Sequence, residues 1–469
     1  MAGPLDALLR GAGLAEGAAV GVLLRNRPPH VAALLGLLAG RRCLVTLNPI
    51  QGATRLAQEL HSLRLAAVVA ASEDWGVPGL ARAAREAGSA ALVLGGGPER
   101  PLGALPGLER PGPGPHHARL PGVAVVMQTS GSTGPPKRVP LLARGLEEAL
   151  LGAVHYESGR SADASPRLRS GVAIVSSPLV HVSGLWRLLQ SLLAGRRVAL
   201  LERFSVEAWR GLVRRHRPAQ ASLVPAALRM VLDAELPSED LASLRAVTVG
   251  TAPLDPELAL AFEARYGIPV LAVYGATEFA GGVAGWTLED RRRFGAAKRG
   301  SAGRANRGVE LRVVDPGTGA VLASGEVGLL EVRAPQLGGL AAGWVRTTDL
   351  ARLDADAFLF LEGRADDAIL RGGFKIAPVE VARVLEQHPA VREAAVVGLP
   401  DPRLGFVPVA AVELEPGAPV PGEAELLDFA RERLAGYQVP IRIRVVEALP
   451  RTPSLKVSQP AVRELFGAG

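Results

Sequence analysis

Cysteine occurs once in these 469 residues, as Cys43, and only four of the 53 basic residues are lysine. A lone cysteine excludes an internal disulfide and suits a reducing compartment, or simply a small buried apolar residue. Aromatic residues make up 4% of the chain, and no basic block interleaves with them. The net charge of +7 is scattered. That pattern argues against nucleic acid as a partner and leaves solvated faces and an anionic nucleotide. No apolar run is long enough for a bilayer: the longest, Val31 to Ala39, is followed by Arg41 and Arg42. Met1 to Arg10 lacks the basic, apolar and small-residue order of a signal peptide. The expectation is a cytoplasmic protein with no membrane partner. What is present is a 48% hydrophobic composition, enough for two or more full cores. The four lysines are Lys137, Lys298, Lys375 and Lys456. In a chain so biased to arginine, each marks a place where a compact ammonium is needed and a guanidinium fork will not serve.

From Ala19 to about Val273, strand-length apolar runs alternate with helical patterns. Strands are expected at Val20–Leu24, Cys43–Leu47, Ala67–Ala71, Val123–Met127, Val172–Ser176, Val198–Leu201, Ala221–Val224, Ala246–Val249 and Val270–Val273. Helices are expected at Val31–Ala39, Thr54–Leu63, Gly184–Leu193, Val206–Arg215 and Pro256–Tyr266. This alternation predicts α/β layers, with helices over mostly parallel sheets. The Gly/Pro-rich stretch Gly95–Gly122 reads as a surface loop or linker. After Gly300 shorter strands with turn signals predict a β-rich subdomain, at Val309–Val314, Val327–Arg333 and Phe358–Leu361. The last hundred residues read as a small α+β domain. The division falls between residues 1–365 and 366–469.

The sharpest segment is Thr129-Ser130-Gly131-Ser132-Thr133-Gly134-Pro135-Pro136-Lys137, directly after a strand. Its glycines let backbone N–H groups face an anion, its hydroxyls add donors and its lysine adds charge, which is chemistry suited to a polyphosphate. It is not a Walker A loop, which needs Gly directly before Lys-Ser/Thr. Taken alone it also reads as a surface turn.

This segment resembles the phosphate loop of the acyl-CoA synthetase, peptide-synthetase adenylation domain and luciferase superfamily. The resemblance continues in order along nearly the whole chain. It includes Asn26-Arg27-Pro28 through Asn48-Pro49, Pro178 to Gly184, Gly250-Thr251-Ala252-Pro253-Leu254 and Tyr274-Gly275-Ala276-Thr277-Glu278. It goes on through Thr347-Thr348-Asp349, Gly363 to Asp367, Arg371 to Ile376 with Glu380, and Pro450 to Lys456. Three of the four lysines fall on the three that the family's motifs place. Lys298 stands outside them and reads as a solvated loop position.

The resemblance implies an AMP-forming acid ligase of the acyl-CoA synthetase type. It would use ATP, Mg²⁺ and a small-molecule acid, with CoA or a carrier protein as thiol acceptor. Thr129, Ser130, Gly131, Ser132, Thr133, Gly134 and Lys137 would cradle the outer phosphates. Gly250, Thr251, Ala252, Pro253, Tyr274, Gly275 and Ala276 would hold the AMP part. Thr277 would donate to the α-phosphate and Glu278 would hold Mg²⁺. Asp349 would accept both ribose hydroxyls, and Arg364 would pair with ribose or phosphate. Lys456 would bridge the acid oxygen and the α-phosphate. His181, Ser183, Gly184, Trp186, Gly250, Ala276, Ala280 and Gly281 would line the acid pocket. A mobile C-terminal domain would turn at Asp366, and Gly372, Gly373 and Lys375 would form the thiol-acceptor loop. Each residue has a bland reading: a lone carboxylate as a solvated charge or helix cap, His181 as a hydrogen-bonded turn residue, Trp186 as core or pocket wall.

The chain departs from the family's pattern where glycine is usual, at Arg138, Thr348, Ala357 and Leu455. At Leu455 this bears on how Lys456 is presented, since glycine alone takes positive φ freely. Ala276, Ala280, Gly281 and Gly282 leave room in the acid pocket, which points to a medium fatty, aryl or acrylic acid. The competing readings are an adenylating enzyme with a carrier or amine acceptor, nitrite activation for diazo formation on an arylamine, and a non-catalytic nucleotide-binding relative.

Overall fold

The structure is a computed structural model. It describes residues 2–95, 102–128, 137–154, 167–338, 343–365, 367–371, 374–452 and 454–467. The first sheet runs Leu102–Ala104, Ala90–Leu94, Ala67–Ala71, Ala19–Leu23, Cys43–Leu47, Val123–Gln128, Arg138–Leu142. Its inner pairs are parallel and its two edge strands antiparallel. Ala19–Leu23, Cys43–Leu47 and Ala67–Ala71 are buried along their whole length. Helices cover both faces of such a sheet, so its strands read as continuous apolar runs rather than alternating ones. Cys43 is free and buried there, with its thiol pushed up to about 12 by burial.

The second sheet begins with the parallel strands Gln220–Leu223, Ala246–Val249 and Val270–Ala276. It turns antiparallel through Gly281–Gly285 and Arg304–Ala305. Two helices on this layer show why they start and stop where they do. Before Val206–His216, Ser205 accepts from the Ala208 N–H, and Arg214, Arg215 and His216 fill the last turn. Before Pro256–Tyr266, Asp255 accepts from Glu257 and Leu258, and Gly267 closes the helix at φ 67.

An antiparallel sheet follows, Glu310–Val314, Gly328–Arg333, Val345–Leu353, Leu359–Arg364. The C-terminal domain is a five-stranded sheet of Phe374–Ile376, Ile369–Arg371, Gly405–Leu414, Val391–Asp401 and Ile443–Val446, with Pro378–Leu385 and Glu423–Arg431 as helices. Its core holds Val381, Leu385, Leu426 and Ala430, with Leu434 packed against it. The expected mixed α/β architecture with a separate C-terminal domain is the one observed. The stretch Gly95–Gly122 is not loop throughout: Leu102–Ala104 pairs with Ala90–Leu94 as an edge strand. Among the described residues no helix is long and apolar enough to cross a membrane.

Candidate active site

Four elements converge on one place. Asp349 lies on the strand Val345–Leu353, paired in register with Arg364 on Leu359–Arg364. The Arg364 guanidinium donates to Thr348 Oγ1 at 2.6 Å, and its Nε lies 3.7 Å from Asp349 Oδ1. The hydroxyl of buried Tyr274 donates to Asp349 Oδ2. Burial first, and then the Asp349 charge, push the Tyr274 phenol far above its usual range, so it stays a donor. The Asp349 N–H donates to Thr347 Oγ1 at 3.0 Å, which itself donates to the Leu330 carbonyl at 2.9 Å. A two-oxygen acceptor is thus held rigidly with one edge braced by protein donors.

Lys456 arrives from the C-terminal domain. Burial and then the positive charge of Arg364 lower its ammonium from the ordinary lysine value. Lys456 in turn contributes to holding His181 neutral: burial first, and then the lysine charge, bring His181 down to about 4. No carboxylate lies within ion-pair distance of the Lys456 ammonium among the described residues. The turn before it is built by Thr452, whose N–H donates to the Lys456 carbonyl at 2.7 Å and whose hydroxyl accepts from the Lys456 N–H at 3.2 Å. Leu455 takes φ 61, the left-handed conformation that glycine favours, and its side chain packs on the core around Trp209 and Leu228. The departure from glycine therefore leaves the backbone path open and adds an apolar anchor to the N-terminal domain.

His181 is the residue before the helix Val182–Leu193, which starts two residues earlier than expected. Its Nε2 is buried with no hydrogen-bond partner among the described residues. Gly184 is required where it stands: a Cβ there would lie 2.3 Å from the Pro178 carbonyl oxygen. Buried Asn26 fixes this segment, donating to the Ser177 and Leu201 carbonyls and accepting from the Leu179 N–H. Ser183 is half-buried nearby. Facing this helix is the strand Gly281–Gly285. A Cβ on Gly281 would meet Trp186 Nε1 and Cδ1 at 2.9 Å. The Trp186 indole thus lies directly against Gly281.

Thr277 and Glu278 sit on a short 3₁₀ turn, with Glu278 exposed, Ala276 and Thr277 half-buried, and Gly275 exposed. Gly250, Thr251, Ala252 and Pro253 follow the strand Ala246–Val249, with Thr251 at φ 75. A cavity of about 110 Å³ lies on the far side of Ala252 and Pro253, lined by Pro256, Ala259, Trp286, Arg291, Lys298 and Arg383, and Tyr274, Asp349 and Arg364 do not border it. Residues Thr129 to Gly134, Asp366, Gly372 and Gly373, and the Lys375 side chain, lie outside the described residues. Lys137 is exposed where the chain re-enters the sheet.

Two features were missed in the sequence. Arg138, noted only as an absent glycine, pairs with Glu59, which also accepts from Gln128 and Gln51. Gln128 and Arg138 face each other at the ends of the strands that flank residues 129–136. Lys298 is not a solvated loop residue. Its ammonium pairs with Asp354 at 2.8 Å and Asp356 at 2.5 Å and lies over the Phe358 ring. The alternating aspartates of Asp354-Ala355-Asp356 were the available signal.

Residues 5–342 match the model of the AMP-binding enzyme family, and residues 380–456 match the model of the AMP-binding enzyme C-terminal domain. The chain belongs to the AMP-binding enzyme family. It is 33% identical over 480 residues to a sulfoacetate–CoA ligase of Cupriavidus necator, covering 98% of this chain and 89% of that protein. Against some other curated relatives the matching stretch spans 60% of their length. Among solved structures it is similar to ATP-bound MatB from Rhodopseudomonas palustris (TM-score 0.82, 25% identity, 99% of this chain and 92% of that one). It is also similar to the amide bond synthetase McbA from Marinactinospora thermotolerans (TM-score 0.78, 30% identity, 98% and 92%).

Proposed function

We propose that this protein activates a small carboxylic acid as its acyl-adenylate, with release of pyrophosphate, and then transfers the acyl group to CoA. The observation that carries this reading is the arrival of Lys456 beside Arg364 and His181, with Asp349 braced for a diol acceptor by Tyr274. An acid oxygen attacks the α-phosphorus, and the bond from that phosphorus to pyrophosphate breaks. Negative charge grows on the bridging oxygens, and the Lys456 ammonium, fixed in a partly buried site, stabilises it without reorganising. Neutral His181 adds no competing cation. Asp349 accepts from the ribose hydroxyls, and Gly250 to Pro253 with Tyr274 to Ala276 border the base.

The residues fit a metal-assisted nucleotide. Among the described residues no cluster of three ligating side chains exists. Glu278 is a single exposed carboxylate beside Thr277, the kind of partial donor set that Mg²⁺ shares with phosphates. When bound, the ion would neutralise phosphate charge. The loop from Thr129 to Lys137 is assigned to the outer phosphates, and Thr277 to the α-phosphate. Asp366 serves as the hinge between residues 1–365 and 366–469. A turn there withdraws Lys456 and brings Gly372, Gly373 and Lys375 to the adenylate. The acceptor thiol then attacks the acyl carbon, loses its proton, and AMP leaves.

The relatives support a ligase, and one of them is named for CoA and a short acid. The likeness to an amide bond synthetase favours a second reading in which an amine takes the acyl group. Pyrophosphate release with ATP and Mg²⁺, run over an acid panel with CoA, with an amine and with neither, separates the two. Thioester formation is the expected outcome, and amide formation without thioester would transfer the assignment to the second reading. Lys456→Ala is expected to lower adenylation about 10²- to 10³-fold. Wild-type turnover in that variant would overturn the mechanism. Because burial and Arg364 lower the Lys456 ammonium, activity should begin to fall with rising pH below the usual lysine value.

A further inference from the structure

We propose that Thr348 is a positioning residue: its hydroxyl holds the Arg364 guanidinium back from Asp349, so that the carboxylate serves the ribose diol of ATP rather than a protein cation. The inference rests on the adenylation reading and deepens it at the ribose. It also gives a role to one of the four positions where the chain departs from the family's usual glycine.

The backbone brings the three residues together. Asp349 and Arg364 are partners in the register of the antiparallel strands Val345–Leu353 and Leu359–Arg364. An arginine and a carboxylate placed opposite one another commonly close into a fork of two short bonds. Here Arg364 Nε stands 3.7 Å from Asp349 Oδ1, within ion-pair range but too long for a hydrogen bond. The guanidinium donates instead to Thr348 Oγ1 at 2.6 Å. The Thr348 carbonyl accepts from the Ala365 N–H at 2.7 Å, so one residue ties both the Arg364 side chain and the backbone that follows it. Glycine can supply that carbonyl but not the hydroxyl.

The consequence falls on Asp349. Its Oδ2 already accepts from the Tyr274 hydroxyl. A guanidinium closed on Oδ1 would set a charge-assisted bond on the other oxygen, and the neutral ribose hydroxyls would have to compete with it. The Arg364 side chain is 40% exposed, so packing alone does not fix its place. Its charge is also felt at Lys456, whose ammonium it lowers after burial has done so. Where Thr348 holds the guanidinium therefore bears on both the diol acceptor and the lysine.

The test uses the full chain with Mg²⁺ and compares, by titration calorimetry, ATP with 2′,3′-dideoxy-ATP, which lacks the diol. The wild type is expected to bind ATP about tenfold or more tighter than the dideoxy nucleotide. Thr348→Val keeps the shape and removes the hydroxyl. It should cut that ratio about fivefold, by weakening ATP and leaving the dideoxy nucleotide nearly unchanged. Thr348→Ser should keep the wild-type ratio. In an Arg364→Ala background there is no guanidinium to hold, so Thr348→Val should change the ratio no further. A merely structural threonine would move both nucleotides alike, and a thermal melt of each variant shows that it is folded. An unchanged ratio in Thr348→Val, or a ratio that falls again when Thr348→Val is added to Arg364→Ala, overturns the inference and leaves adenylation standing. So does a serine variant as weak as the valine one. Equal wild-type affinity for the two nucleotides overturns the assignment of Asp349 to the ribose, and this inference with it. A wild type that binds neither nucleotide overturns the adenylation reading itself.

Discussion

Leu455 and Ala357 both hold left-handed backbone, at φ 61 and φ 60, where a side chain costs about 1–2 kcal/mol. Their compensation differs. Leu455 is packed on the N-terminal core, whereas Ala357 sits exposed at a turn. Ala357→Gly should therefore stabilise by about 1 kcal/mol, a rise of a few degrees in a thermal melt. A melting point that stays put would mean the turn is already relaxed. Leu455→Gly relieves the same strain but loses the anchor that holds Lys456 against the site. Its expected record is an unchanged or higher melting point with several-fold slower adenylation. Wild-type rates would mean that the lysine is placed by the Thr452 turn alone. From sequence the missing glycine at 455 looked like a loss, because its compensation comes from residues more than two hundred positions away.

The strands were legible wherever burial on both faces made them continuous apolar runs, as at Cys43–Leu47, Ala67–Ala71 and Ala246–Val249. Leu102–Ala104 was not, because three residues around a glycine on a sheet edge carry no period. The clasp at the strand ends flanking residues 129–136 was invisible for another reason. Arg138 on a strand and Glu59 on a helix are 79 residues apart, and no local pattern links them. Glu59 is the single carboxylate shared by Arg138, Gln128 and Gln51. Glu59→Gln keeps the shape and removes the charge, leaving a part-buried guanidinium without its counter-ion. It should cost about 1–3 kcal/mol of stability and raise the KM for ATP several-fold, with a smaller change in the KM for the acid. Equal changes in both would show that the clasp stabilises the sheet rather than the loop.

At the scale of the whole molecule, ordered motifs reveal the family and both domains, but not the contacts that choose the pose in which Lys456 reaches Arg364. Those contacts lie where no motif does. Arg392 of the C-terminal domain pairs with Asp233, and Arg383 lies 3.7 Å from Glu362. Glu386 sits between the domains, and burial raises its carboxyl to about 7. The groups facing it are the Ala394 N–H, which donates to it, Asp255 from the N-terminal domain, Glu393, and Arg383. Asp255 is tied down as the cap of Pro256–Tyr266, so it cannot move far from a second negative charge. The sign follows from proton binding: docking brings Asp255 toward Glu386 and raises its carboxyl above that of the released form, so just below about 7 the docked form holds more of the proton. Docking is therefore favoured at the acid end, weakens as pH rises through 7, and is flat above. Interdomain distance measured by fluorescence transfer should be shorter at pH 6 than at pH 8. Glu386→Gln should hold the short distance at both, because the amide cannot acquire the charge that Asp255 repels. A wild-type distance indifferent to pH would place the control of domain docking in the Arg392–Asp233 and Arg383–Glu362 pairs instead.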